Sequence, residues 1–97
     1  MPGYITLFKW TKKGLSEVKA SPERIKANRA LVEKMGGRLI GVWVTMGEYD
    51  LIAVSEAPDD QTAARVALLV AGSGYATTQT MRAFSEDEFA EIVGKLP

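Results

Sequence analysis

Two runs of strand-forming residues in the middle of the chain, Arg38 to Met46 and Tyr49 to Glu56, are separated by only Gly47-Glu48. Two residues leave no room for a crossover, so the runs are antiparallel neighbours, and glycine at the first turn position suits a tight hairpin. Pairing across that turn places Val42, Val44, Met46, Leu51 and Ala53 on one side of a sheet. Gly41, Trp43, Thr45, Asp50, Ile52 and Val54 fall on the other. Both sides are largely apolar. A sheet wetted on one side alternates apolar with polar residues, so this pattern predicts that both faces are covered, one by the chain's own helices and the other by a second subunit.

The flanking segments say which helices those are. Tyr4 to Trp10 is aromatic and branched and reads as a first strand, ended by Thr11-Lys12-Lys13-Gly14. A short helical turn over Leu15 to Lys19 precedes a longer helix, with Ser21 as N-cap, Pro22 at the first helical position and Gly36-Gly37 as its stop. Ile25, Leu31, Val32 and Met35 form its apolar stripe. Pro58-Asp59-Asp60 opens another helix running to about Ala71 before Gly72-Ser73-Gly74. Tyr75 to Phe84 is a last strand, and the capping box Ser85-Glu86-Asp87-Glu88 starts a terminal helix carrying Phe89, Ile92, Val93 and Leu96.

The resulting order is β-α-β-β-α-β with an added helix, which predicts a single α+β domain over residues 1–97: a ferredoxin-like split βαβ with a four-stranded antiparallel sheet ordered 4-1-3-2. Val66 to Ala71 has no polar residue, more apolar surface than one packed face absorbs. Either it lies at an interface or the terminal helix covers it.

Composition removes whole classes of chemistry. The chain has neither cysteine nor histidine, which excludes disulfides, thiolate nucleophiles and cysteine-ligated clusters and takes away the commonest zinc and haem ligand. No cofactor or metal is expected. Lysine plus arginine equals aspartate plus glutamate, 12 of each, so no net field favours nucleic acid or an anionic membrane. The N-terminal apolar stretch is too short for a signal peptide and no run reaches membrane-spanning length, so a cytoplasmic protein is expected.

Thr45-Met46-Gly47-Glu48-Tyr49-Asp50-Leu51 is the least generic segment. Together with Tyr4-Ile5, Ser21-Pro22, Gly36-Gly37, Ala57-Pro58-Asp59-Asp60 and Arg82-Ala83-Phe84-Ser85, it resembles the GYD domain family, named for the glycine–tyrosine–aspartate turn. The resemblance implies a ferredoxin-like subunit similar to those that pair into dimeric α+β barrels, hence a homodimer or larger assembly. It implies no activity and no catalytic residue.

From the residues themselves, Gly47 is a structural turn glycine and Tyr49 packs beside it. Asp50 either accepts backbone hydrogen bonds or serves as a general base or ligand-orienting group at the end of the apolar sheet face, near Trp43 and Thr45. Thr6 and Arg82 join this candidate set because Asp50 is expected to face Arg82 across the first strand, over Thr6. Trp10 and Trp43, with Tyr4, Phe8 and Tyr75, either form plain interface core or line a cavity for a flat organic molecule between paired subunits. Lys9, Lys12, Lys13 and Lys19 form a modest basic end read as solvated surface. Three functions follow: a homo-oligomer binding a small organic ligand between subunit sheet faces, a cofactor-free enzyme of monooxygenase or isomerase type, and a purely structural or regulatory assembly module.

Overall fold

The computed structural model describes residues 1–97. Strand β1 spans Gly3–Trp10 and is followed by helix α1, Lys12–Ser16, a 3-10 turn over Val18–Ala20, and helix α2, Ser21–Lys34. Strands β2, Arg38–Val44, and β3, Leu51–Glu56, form the central hairpin; helix α3, Asp60–Gly72, strand β4, Ala76–Ala83, and helix α4, Glu86–Gly94, complete the chain. The fold is α+β: one four-stranded sheet, ordered β2-β3-β1-β4 with every neighbouring pair antiparallel, and four helices.

The hairpin register follows the alternation seen in the sequence, pairing Val44 with Leu51, Trp43 with Ile52, Val42 with Ala53 and Gly41 with Val54. A bulge between Leu39 and Gly41 then shifts the ladder by one residue. The strands are shorter than expected, because β2 stops at Val44 and β3 starts at Leu51, leaving residues 45–50 as the connection. The reason lies in β1. Asp50 turns its amide to the Phe8 carbonyl, 2.8 Å, while its carbonyl still accepts the Thr45 amide, 2.8 Å, so past Leu51 the chain is shared between the hairpin and the central strand.

Helix α2 packs on β2 and α3 on β4, both against the face that carries Tyr4, Thr6, Phe8, Val42, Leu51 and Ala53. Local signals explain the helix starts. Thr11 caps α1, Asp59 caps α3 by accepting the Thr62 amide at 2.8 Å, and the Ser85–Glu88 capping box opens α4 with both reciprocal bonds formed. Ser21 is a correction: it is already helical, because the 3-10 turn runs straight into α2 and leaves no extended residue to act as cap. Its hydroxyl accepts from Arg24 instead, at 2.9 Å.

Burial is thin. Only eight residues are buried, and no side chain is shielded completely, so helices and sheet leave space between them. Tyr4 is the best-anchored aromatic: its hydroxyl donates to the Asp60 carboxylate at 2.6 Å, tying β1 to the start of α3. Burial and the adjacent carboxylate push its pKa up to about 12. The terminal helix covers nothing on α3. Leu68 stays 74% exposed, Phe89 60%, and Ile92, Val93 and Leu96 are exposed as well.

Candidate functional site

The residues at the hairpin tip are held by bonds that the local sequence invites. Thr45 donates its amide to the Asp50 carbonyl at 2.8 Å and its hydroxyl to the Tyr49 carbonyl at 2.6 Å, closing the loop on itself. Gly47 takes φ +153°, a backbone essentially confined to glycine, with open space around it. Asp50 does structural work: its carboxylate accepts the Trp10 amide at 2.9 Å while its own amide pairs with Phe8. It therefore continues the bonding along β1 ahead of the start of β3.

Tyr49 reaches across β1 to β4. Its hydroxyl donates to Gln79 Oε1 at 3.1 Å, and the Lys9 ammonium sits 5.2 Å from its ring centre and 3.7 Å from the Glu48 carboxylate. Lys9 and Gln79 alternate with the residues that face the helices, so this polar group rims one end of the helix-free face. On that face lie Ile5, Leu7, Ile52, Val54, Met81 and Trp43. Trp43 is 55% exposed, and its indole lies flat over Gly41, where any Cβ would come within 2.7 Å of the ring. The result is an apolar sheet surface with one aromatic lying on it and a polar margin at the hairpin end.

The remaining sequence candidates lie elsewhere. Thr6 is on the opposite, helix-covered face, its hydroxyl 3.1 Å from that of Thr80. Arg82 pairs with Tyr4 at the far end of β1, donating to the carbonyls of Gly3 and Ala83 and standing 3.8 Å from Glu88 and 4.5 Å from the Phe84 ring. The expected Asp50–Arg82 pair does not form. β3 and β4 both run antiparallel to β1, so β3 begins where β1 ends, beside Phe8, whereas β4 ends where β1 begins, beside Tyr4. Five residues of strand and two strand spacings put the two roughly 20 Å apart.

The expected aromatic cavity divides in the same way. Trp10, Phe8 and Tyr75 line a cavity of about 300 Å³ between α2 and the sheet, together with Ile25, Val42 and Arg24, while Trp43 is on the other face and Tyr4 borders a smaller cavity of about 50 Å³ beneath α3. The Tyr75 ring is gripped by two cations, Lys13 at 4.3 Å and Arg24 at 4.2 Å. Sequence reasoning missed this cavity. The signal was the small residues Ala27, Asn28, Ala53 and Ala76 around its wall, which leave volume beside Phe8 and Trp10.

No three or more carboxylates converge to hold a metal ion, and no helix is long and apolar enough to cross a membrane. The displaced acid pKa values belong to helix caps: side-chain and backbone bonds to Thr62 hold Asp59 below the usual carboxylate range, and bonds to Ser85 do the same for Glu88.

Known proteins share this plan. A crystal structure of TTHA0845 from Thermus thermophilus superposes with a TM-score of 0.55 at 21% identity, over 88% of this chain and 95% of that one, which supports a small α+β fold. A second protein of Thermus thermophilus, described as a glutamine synthetase and cystathionine beta-lyase binding protein, is 34% identical over 97 residues, 99% of each chain. Residues 4–93, from the first strand to the terminal helix and including the Gly47-Tyr49-Asp50 tip, match the GYD domain, and the chain belongs to the GYD domain family.

Proposed function

We propose that this chain is a protein-binding module that works as a homo-oligomer: a ferredoxin-like subunit whose helix-free faces pair in the manner of dimeric α+β barrels, and whose remaining apolar surface docks on another protein. The observation that carries this reading is the helix-free face, where Trp43, Ile52, Val54, Ile5, Leu7 and Met81 form a contiguous apolar surface rimmed by Tyr49, Lys9 and Gln79. Apolar centres with polar rims and a prominent aromatic are the anatomy of protein interfaces. A relative that spans the same length carries a name stating that it binds two enzymes, which supports the same class of function. In this reading Tyr49, Thr45 and Asp50 shape the margin of the face, and Trp43 is its anchor.

The test uses purified glutamine synthetase and cystathionine beta-lyase from the same source organism, each immobilised and titrated with the chain. Saturable binding to at least one, lost in Leu68→Ser on the exposed side of α3, is expected. Failure of both enzymes to bind at concentrations up to about 100 μM, where even weak complexes register, would remove protein binding of this kind from consideration.

A second reading, a site for a small organic ligand, is favoured by the cavity under α2, which lies on the other face from the one expected. Its volume reaches the lower end of the range for ligand pockets, and its lining is two-thirds apolar, with Arg24 and Asn28 among six polar residues. A thermal-shift screen of small aromatic acids, flavins and quinones checks it, since only binders of the folded state raise Tm.

A further inference from the structure

Helix α4 is amphipathic and has no extensive packing against any other element. Phe89, Ile92 and Val93 occupy one side, with Leu96 just beyond its end, and all four are exposed. Its one tether besides the backbone is Arg82, which meets Glu88 at the first turn. The molecule is correspondingly long, 52 Å against 30 and 18 Å in the other two directions.

Its charge is unevenly distributed along the chain. Nine of the twelve lysines and arginines lie before Gly47 and nine of the twelve carboxylates after it, so a chain of zero net charge is split into a basic half and an acidic half. Two charged segments lie at opposite ends of the sheet. Helix α4 leaves the sheet where β4 ends beside Gly3, whereas α1 and the 3-10 turn leave it beyond Trp10, at the opposite end of β1. That second end bears Lys12, Lys13 and Lys19, with the one carboxylate Glu17 among them, around two exposed apolar residues, Leu15 and Val18. No cation lies within ion-pair distance of Glu86, Asp87 or Glu91, and no carboxylate within that distance of Lys12, Lys13 or Lys19.

We infer that α4 is an exchanged arm that docks on the α1 and 3-10 end of a second copy of this chain, Phe89, Ile92 and Val93 against Leu15 and Val18, with acidic flanks against the lysines. The inference rests on the reading that the chain self-associates and adds the contact that orients the copies. Because the two complementary patches sit at opposite ends of one molecule, two copies with antiparallel long axes satisfy both contacts at once and close the assembly with two-fold symmetry. A nine-residue helix about 13 Å long presents on the order of 300 Å² on one side, so two reciprocal contacts bury about 1,000 Å², enough for a specific interface even before the sheet faces are counted.

The chain has no cysteine, which makes cross-linking diagnostic. Val18→Cys and Val93→Cys are prepared separately and together, with the mass of each measured by light scattering. Oxidation of an equimolar mixture of the single variants is expected to give a covalent dimer in about tenfold excess over either variant alone, because docking holds the thiols at high effective concentration, and 1 M salt should reduce the yield. A dimeric mass without the mixed cross-link would overturn the exchanged arm and leave self-association standing. A monomeric mass would overturn both. In the double variant, a cross-linked product that remains monomeric shows α4 folding back on its own chain, and protection of α4 only after an enzyme partner is added assigns the helix to that partner; either result overturns the inference.

Discussion

Removing the Asp50 side chain tests whether the tip residue is a latch. In Asp50→Ala the part-buried Trp10 amide loses its charged acceptor, and with it the bond that holds the end of β1 to the hairpin. A hydrogen bond to a charged group is worth about 1.5–3 kcal/mol, and an orphaned buried donor costs a similar amount, so a loss of about 2 kcal/mol is expected. For a chain of this length that corresponds to a fall in Tm of about 8–16 °C, or about 1 M in the urea midpoint at unchanged slope. Asp50→Asn keeps an acceptor oxygen at the same place and is expected to cost under about 1 kcal/mol. Arg82→Ala serves as the control. Lying roughly 20 Å away, it should add to Asp50→Ala within about 0.5 kcal/mol rather than couple to it. Urea denaturation at pH 7 and one fixed protein concentration, needed because association shifts apparent stability, measures the parent, the three single variants and the Asp50→Ala/Arg82→Ala double variant. An Asp50→Ala variant within about 0.5 kcal/mol of the parent, or an Asn variant as damaged as the Ala variant, would refute the latch.

Three further outcomes are expected. Folding raises the Tyr4 pKa to about 12, so the unfolded chain gives up this proton first and stability falls as pH rises from about 10 to 12, by up to about 1.4 kcal/mol per pH unit; in Tyr4→Phe that slope should disappear from denaturation curves taken across this window. Gly14→Ala is expected to destabilise by about 1–3 kcal/mol, because a Cβ there would fall on the Tyr75 carbonyl oxygen and press on the Trp10 ring; a melting temperature equal to the parent's would contradict it. Ser85→Ala removes one half of the capping box of α4 and should cost about 1 kcal/mol of helix stability, read as faster amide exchange confined to residues 86–94.

What the sequence determined was whatever depends on neighbours along the chain. A period of two through Val42, Trp43 and Val44 and their partners sets the hairpin register, since a slip of one residue would turn every side chain over. Ser85 with Glu88, and Asp59 with Thr62, mark helix starts because a cap is satisfied within four residues. The Gly47-Tyr49-Asp50 tip identified the family. Tertiary structure decided the rest. Asp50 bonds to a strand forty residues earlier in the chain, so its latch and the shortened hairpin were invisible to local pattern. Strand polarity separated Asp50 from Arg82, and alternation across β1 sent Thr6 and Trp43 to opposite faces. The stripe on α4 reads as amphipathic in any context. Whether it turns inward depends on which surface lies within its reach, and in this chain the loop after β4 directs it away from the sheet.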